Sequence, residues 1–239
     1  MTTDHPGWST FEPGPNRRTG FDIALAEWLG NRLGRDVAFL DLTLAERIEA
    51  LKSSQVQMVI STFSMTDERR KEIDFAGPYM VTRQGVLVRE GDERIRTHAD
   101  LIGGDRNVCV ARGTTSEEQL RPHDGKGLTL TVETALKDCL RRLVDGQVDA
   151  FSTDQLVLRG FARSTPATRV VEGLTFGAEE QYGIGLPDQS RQQCDLLTRH
   201  LRTFLNEGYW GDFLERELQP ENPVAHKPLK LDPCENATP

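Results

Sequence analysis

Three places in this 239-residue sequence bring together side chains that can hold a small charged molecule. Arg69, in Met65-Thr-Asp-Glu-Arg-Arg-Lys, offers a planar guanidinium able to grip a carboxylate through two parallel hydrogen bonds. Its neighbours Arg70 and Lys71 read as surface charges. Thr114 and Thr115 follow Gly113 where a β-branched run ends and a helix begins, so free N–H groups and the positive helix end can meet the same anion. The same threonines, with Glu117 or Glu118 behind them, also read as a plain N-cap with its capping box. Asp154 closes Val148-Asp-Ala-Phe-Ser-Thr-Asp and can either accept an ammonium group or cap the helix after it. A fork-shaped cation, hydroxyl donors and an opposing carboxylate are the set that an α-amino acid requires.

The elements that must position these groups alternate in period, which indicates an α/β architecture. Phe21 to Leu33 carries a helical apolar stripe stopped by Gly34, as a C-terminal glycine does. Strands are expected at Val37 to Leu42, Val56 to Ser61, Gln84 to Arg89, Val108 to Ala111, Val148 to Ser152 and Tyr182 to Leu186. Helices are expected at Ala45 to Leu51, Val132 to Val144, Asp154 to Ala162, Arg191 to Asn206 and Tyr209 to Leu218. Leu51 to Thr62 (LKSSQVQMVIST) and Leu143 to Thr153 (LVDGQVDAFST) share one grammar of helix end, Gln-Val, apolar strand and Ser-Thr. That similarity reads either as two related lobes or as ordinary helix-turn-strand recurrence. In the first case Ser61-Thr62 and Ser152-Thr153-Asp154 face one another across a cleft, since ligands of open α/β sheets sit beyond the strands' carboxyl ends.

Composition narrows the function. Lysine and arginine number 29 against 37 acids, a net charge of -8, which argues against a protein that binds nucleic acid by neutralising phosphates. No apolar run approaches the ~20 residues of a membrane-spanning helix. The cysteines (109, 139, 194 and 234) lack C-x-x-C pairing, and the five histidines are scattered, expected on the surface, and form no ligand motif. No metal or other cofactor is implied. The first residues show neither a basic nor an apolar segment of a secretion signal. Residues 219–239 hold five of the twelve prolines and are expected to be extended and partly disordered.

Five motifs in order carry a resemblance: Gly20-Phe-Asp-Ile-Ala-Leu-Ala-Glu-Trp-Leu, Met65 to Tyr79, Gly113-Thr-Thr-Ser-Glu-Glu, Val148 to Asp154 and Tyr182-Gly-Ile-Gly-Leu. From about Asp4 to Leu218 the chain resembles the family 3 extracellular solute-binding proteins, the polar amino-acid receptors of ABC importers. Within them it looks closest to the actinobacterial glutamate-type receptors. The resemblance implies a two-lobed type II periplasmic-binding-protein clamshell with a discontinuous first lobe: residues 1–80 and 184–218 in lobe one, 81–183 in lobe two, 219–239 as a tail. The chain crosses between lobes near Pro78 to Thr82 and near Gln181 to Gly183. It implies no catalysis, a monomer outside the cell, a small amino-acid ligand and an ABC permease as partner.

By the same resemblance Arg69 holds the ligand carboxylate with Thr114 and Thr115, and Asp154, Ser64 and the Thr62 carbonyl hold its ammonium. Arg47 occupies the position from which acidic-ligand members reach a distal carboxylate; its other reading is an exposed Glu-Arg helix face. Ala111 stands where glutamine-type receptors carry a lysine, and Leu44 replaces an aromatic wall, so glutamate or aspartate is favoured over glutamine. Trp8 or Phe11 forms the remaining apolar wall or belongs to the core, and Thr153 and Thr82 are further polar candidates. Glutamate-type relatives carry cysteines at both 109 and 139, which implies a disulfide there; two independent buried thiols are the alternative. Cys194 and Cys234 are a candidate second pair. Relatives begin with an L-x-V-G-V strand just ahead of Thr3 that is not seen here, which would cost lobe one a central parallel strand. Two other uses of such a clamshell stand beside the receptor: a ligand sensor of a signalling system, and a dehydratase acting on cyclic precursors of phenylalanine.

Overall fold

The computed structural model describes residues 4–12, 14, 17–220 and 222–234. What was expected of 1–3 and 235–239 lies outside them. The chain opens as a small antiparallel sheet of β1 (Asp4–His5), β2 (Ser9–Glu12) and β3 (Arg17–Thr19). Gly20, at φ 121°, then turns the chain against the Trp8 carbonyl, where any Cβ would collide. Helix α1 (Phe21–Leu33) buries Phe21, Leu25 and Leu29 at four-residue spacing and ends at Gly34 in the left-handed conformation. Two short helices follow, α2 (Arg47–Lys52) and α3 (Asp67–Arg70), the latter capped by the Thr66 hydroxyl, which accepts from Arg69 N–H.

The segments expected as strands at 37–42 and 56–61 are not strands. Neither enters a ladder among the described residues; only isolated bridges form here and just beyond, Val59 with Gly185 and Ser64 with Tyr182. A β-branched run becomes a strand only when a neighbour lies in register, and Val37 and Leu40 accordingly stay 39% exposed.

The main sheet contains β4 (Asp74–Arg89), β5 (Arg106–Ala111), β6 (Leu128–Glu133), β7 (Ala150–Asp154), β8 (Thr168–Val170) and β9 (Phe176–Leu186). Its order is β6-β5-β7-β4-β8, with β9 also on β4. β5 lies parallel to β6 and β7, whereas β4 is antiparallel to β7, β8 and β9. Helices α4 (His98–Gly103), α5 (Thr115–Leu120), α6 (Leu136–Val144) and α7 (Gln155–Ser164) connect these strands. Two further helices, α8 (Arg191–Asn206) and α9 (Tyr209–Glu217), follow β9. β4 and β9 pair from Asp74 opposite Leu186 to Gln84 opposite Phe176, with register shifts between Ala76 and Met80 and between Thr82 and Gln84. This two-stranded ribbon joins an apolar cluster around Phe63, Ile73 and Phe75 to another around Val86, Val110 and Leu128.

The tail is not loose. Along the edge of β4 that β9 leaves open, three alternate carbonyls receive donors: Gly77 from Asp232 N–H (2.8 Å), Tyr79 from Trp210 Nε1 (2.8 Å) and Val81 from His226 Nδ1 (2.9 Å). Arg70 pairs with Asp232 at 2.6 Å, and Cys234 is disulfide-bonded to Cys194 on α8. The prolines leave one short 3₁₀ helix, Pro223–His226, and the segment is ordered because His226, Asp232 and Cys234 fasten it to the rest of the chain. The expected Cys109–Cys139 bridge is present, with Cα atoms 5.4 Å apart between β5 and α6.

Peptide mapping of the unreduced protein is expected to return both linked pairs, 109 with 139 and 194 with 234. Replacing Cys194 and Cys234 together by serine is expected to reduce stability by about 3–4 kcal/mol, the scale for a closed loop of this length. The readout is a lower urea midpoint, with a slope that rises because the unlinked unfolded chain is more expanded.

Candidate functional site

The site is organised by one phenyl ring. Phe63 is fully buried, and two guanidinium groups lie over it, Arg47 at 4.1 Å and Arg69 at 5.1 Å from its centroid. Arg47, at the start of α2, is only 3% exposed, which overturns the exposed-face reading. Its Nε donates to the Leu44 carbonyl (2.8 Å), Nη1 to Ser61 (3.0 Å) and Nη2 to Gly113 (3.1 Å). Arg69 on α3 donates to the carbonyls of Ser64 (2.9 Å) and, again, Gly113 (3.1 Å). Burial and mutual repulsion lower the pKa of Arg47, and burial lowers that of Arg69.

Gly113 reaches both arginines because it has no side chain. Its φ is +77°, and a Cβ there would lie 2.7 Å from Ala45 Cα. Thr114 caps α5, accepting from Glu117 N–H at 3.2 Å and donating to the Ala111 carbonyl at 2.7 Å, while the Glu117 carboxylate accepts from Gly113 N–H at 2.8 Å. The N-cap is therefore realised but the capping box is not, because Glu117 reaches Gly113 rather than the Thr114 N–H, and Thr114 still lines the cavity.

Asp154 stands in extended conformation at the start of α7 and makes no side-chain cap bond, so that alternative fails. One carboxylate oxygen accepts from Gln84 Nε2 and the other from the Tyr182 hydroxyl, each at 2.5 Å. Burial, then the nearby Glu180 charge, push its pKa up to about 7. Burial likewise raises Asp22 to about 7; it accepts from the Tyr79 hydroxyl and from Thr62 N–H, both at 2.8 Å. That second bond holds Thr62 at a positive φ of 42°.

Arg47, Thr62, Ser64, Arg69, Thr114, Thr115, Thr153 and Asp154 line one cavity of about 10 Å³, together with His5, Leu44 and Leu136. Beyond those three residues opens a larger space of about 240 Å³, bordered by Leu42, Thr43 and Ala135. Trp8 is not a wall: it packs in the core against Phe21 and Tyr182, because the turn after β1 folds it under α1. Phe11 is 39% exposed on β2, and Thr82 is buried outside the cavity lining. The Thr62 carbonyl, expected to meet an ammonium, lies 3.5 Å from Arg47 Nη1 instead, and the Ser64 carbonyl accepts from Arg69. His5 is buried rather than at the surface, and burial plus the Arg47 charge lower it to about 3, so it is neutral. Sequence reasoning missed His5, Gln84, Glu180 and Tyr182; only the Tyr182-Gly-Ile-Gly-Leu motif carried a signal for any of them.

The family model for bacterial extracellular solute-binding proteins, family 3, matches residues 2–216. The chain belongs to this family. The glutamate-binding protein GluB of Corynebacterium efficiens is 29% identical over 235 residues, covering 94% of this chain and 79% of that protein. The glutamine-binding protein of Geobacillus stearothermophilus is 32% identical over 189 residues, 78% of this chain and 70% of that one. Among solved structures, the ancestral amino acid-binding protein AncCDT-1, a precursor of cyclohexadienyl dehydratase, superposes with a TM-score of 0.81 at 27% identity. That match covers 91% of this chain and 92% of that one. The fold is thus the two-lobed α/β clamshell of these amino-acid-binding proteins. No helix among the described residues is long and apolar enough to cross a membrane.

Asp22 binds its proton up to about pH 7 when folded but ionises near 4 when unfolded. The folded state therefore binds the extra proton between those limits, and the stability this contributes is full below about pH 4 and lost as pH rises through 7. Against an Asp22→Asn variant, urea midpoints measured across that window are expected to shift progressively in the variant's favour as pH rises.

Proposed function

We propose that the protein is an extracellular receptor for a polar L-α-amino acid, glutamate or aspartate in preference to glutamine, delivering it to the permease of an ABC importer. The observation that carries this reading is the pair of buried guanidiniums over Phe63, whose one shared acceptor is the neutral Gly113 carbonyl. Two cations held out of water call for anionic partners, and a ligand with two carboxylates supplies them. Arg69 would take the α-carboxylate beside Thr114 and Thr115, and Arg47 the distal one. Asp154 would take the ammonium, ionising as it does so. Thr62, Ser64 and Thr153 would close the polar wall around the head group.

With about 10 Å³ free, the cavity as it stands has no room for such a ligand, so binding requires the lobes to part and re-close. The bend belongs to the β4–β9 ribbon, where the register shifts weaken the ladder between residues 76 and 84. On this reading residues 1–80 and 184–218 move against 81–183. The ligand then closes the clamp because only the closed form offers it Arg69 and Asp154 together.

Calorimetry against the twenty amino acids is expected to find binding of glutamate or aspartate tighter than glutamine. Arg69→Gln is expected to remove all of it. Arg47→Gln is expected to weaken acidic ligands by about 100-fold, the scale of ~3 kcal/mol for a lost charged hydrogen-bond pair, and glutamine far less. Equal losses for glutamate and glutamine in Arg47→Gln would remove the acidic preference.

A further inference from the structure

Behind Asp154 lies a second buried acid that the receptor reading does not use. Glu180, on β9, is 4% exposed, and its Oε1 accepts from Gln84 Nε2 at 2.9 Å and from Gln119 Nε2 at 3.3 Å. The Gln84 side chain is fully buried between the two carboxylates. Its Nε2 faces three oxygens, Asp154 Oδ1, Glu180 Oε1 and Thr115 Oγ1 (2.9 Å), while its own Oε1 receives the Ser116 hydroxyl. An amide nitrogen carries two hydrogens, so it cannot serve three acceptors at once. Two carboxylates one amide apart, both out of water, repel each other and favour sharing a proton.

We propose that Asp154 and Glu180 hold one proton between them in the empty site, that the ammonium group of an arriving amino acid drives this proton out, and that Glu180 is the positioning residue that sets this exchange. This rests on the receptor reading for the identity of the incoming cation. No bond to carbon changes: the ammonium of the ligand replaces the shared proton as the positive partner, and the proton leaves to solvent. The raised pKa of Asp154 agrees with this, and Glu180 is the second of its causes.

The other charges facing the pair are accounted for. Arg69 from α3 and Arg47 from α2 act on Asp154 and favour its ionised form. Glu180 also acts on Arg69, whose guanidinium lies 4.0 Å from Glu118. Tyr182 from β9 donates to Asp154, and burial and the two acids hold its own phenol protonated. His5, in the same cavity lining, is neutral.

A carbon-detected NMR titration of side-chain carboxyls in the ligand-free protein tests the pair directly. One buried carboxyl is expected to titrate near neutrality, at a markedly lower pH in Glu180→Gln, and near the original midpoint in Glu180→Asp. A wild-type protein with no such carboxyl, or a Glu180→Gln variant titrating where wild type does, would overturn the proposal. Calorimetry of L-glutamate in buffers of differing ionisation enthalpy supplies the ligand arm. Binding is expected to release a proton below about pH 7 and to tighten by up to about tenfold per pH unit on approach to it. Tight binding with no proton release at pH 6 would count against the exchange. Absence of all amino-acid binding alongside the expected NMR titration would instead overturn the receptor reading and leave the acid pair standing.

Discussion

Two like charges buried against one ring are the constraint around which the rest of this molecule is arranged. A guanidinium removed from water is costly unless each of its N–H groups finds an oxygen. Arg47 and Arg69 therefore require carbonyls from Leu44, Ser61, Ser64 and Gly113 in fixed places, and those places determine the loops. The Ser61-Thr62 corner turns where the buried Asp22 carboxyl holds Thr62 N–H. The loop after β5 reaches Arg47 because a glycine lets it lie directly on Ala45. Phe63 supplies the face that no carbonyl can.

The opposite half of the site hangs on the ribbon. Gln84 belongs to β4, Glu180 and Tyr182 belong to β9, and all three hold or face Asp154 at the end of β7. The strands that link the two apolar clusters thus also fix the carboxylate that opposes the arginines. Any change in ribbon curvature is felt at that carboxylate, and its charge bears on the ribbon through the same hydrogen bonds. Cleft chemistry and lobe geometry are in this sense one network.

Much of this was legible in the residues and some was not, for identifiable reasons. The α1 stripe with its terminal Gly34 is a local pattern and reads correctly, and so does the bridge from Cys109 to Cys139; Arg69 and Asp154, singled out from contiguous motifs, come to line one cavity. The segments at 37–42 and 56–61 have strand composition, but a ladder depends on a neighbour that composition does not encode. β4 and β9 proved longer than expected because Gly77-Pro78 and Gly177 look like breaks; Pro78 is accommodated where the register with β9 shifts. His5 ends the two-residue strand β1, too short for periodicity to betray its burial, and the facing of Gln84 and Glu180 depends on ribbon curvature. Tail order comes from contacts with residues far off in sequence, His226 on Val81, Asp232 on Gly77 and Cys234 on Cys194, which proline content says nothing about.

The row of donors along β4 has one more consequence, for the behaviour of many molecules rather than one. A sheet edge with alternate bare carbonyls is a template for pairing with another chain. Here that edge is covered at Gly77, Tyr79 and Val81 by Trp210, by His226 and by a backbone N–H locked in place through the last cysteine. The C-terminal segment therefore acts as a guard against edge-to-edge aggregation, and its disulfide to α8 ties the guard in position.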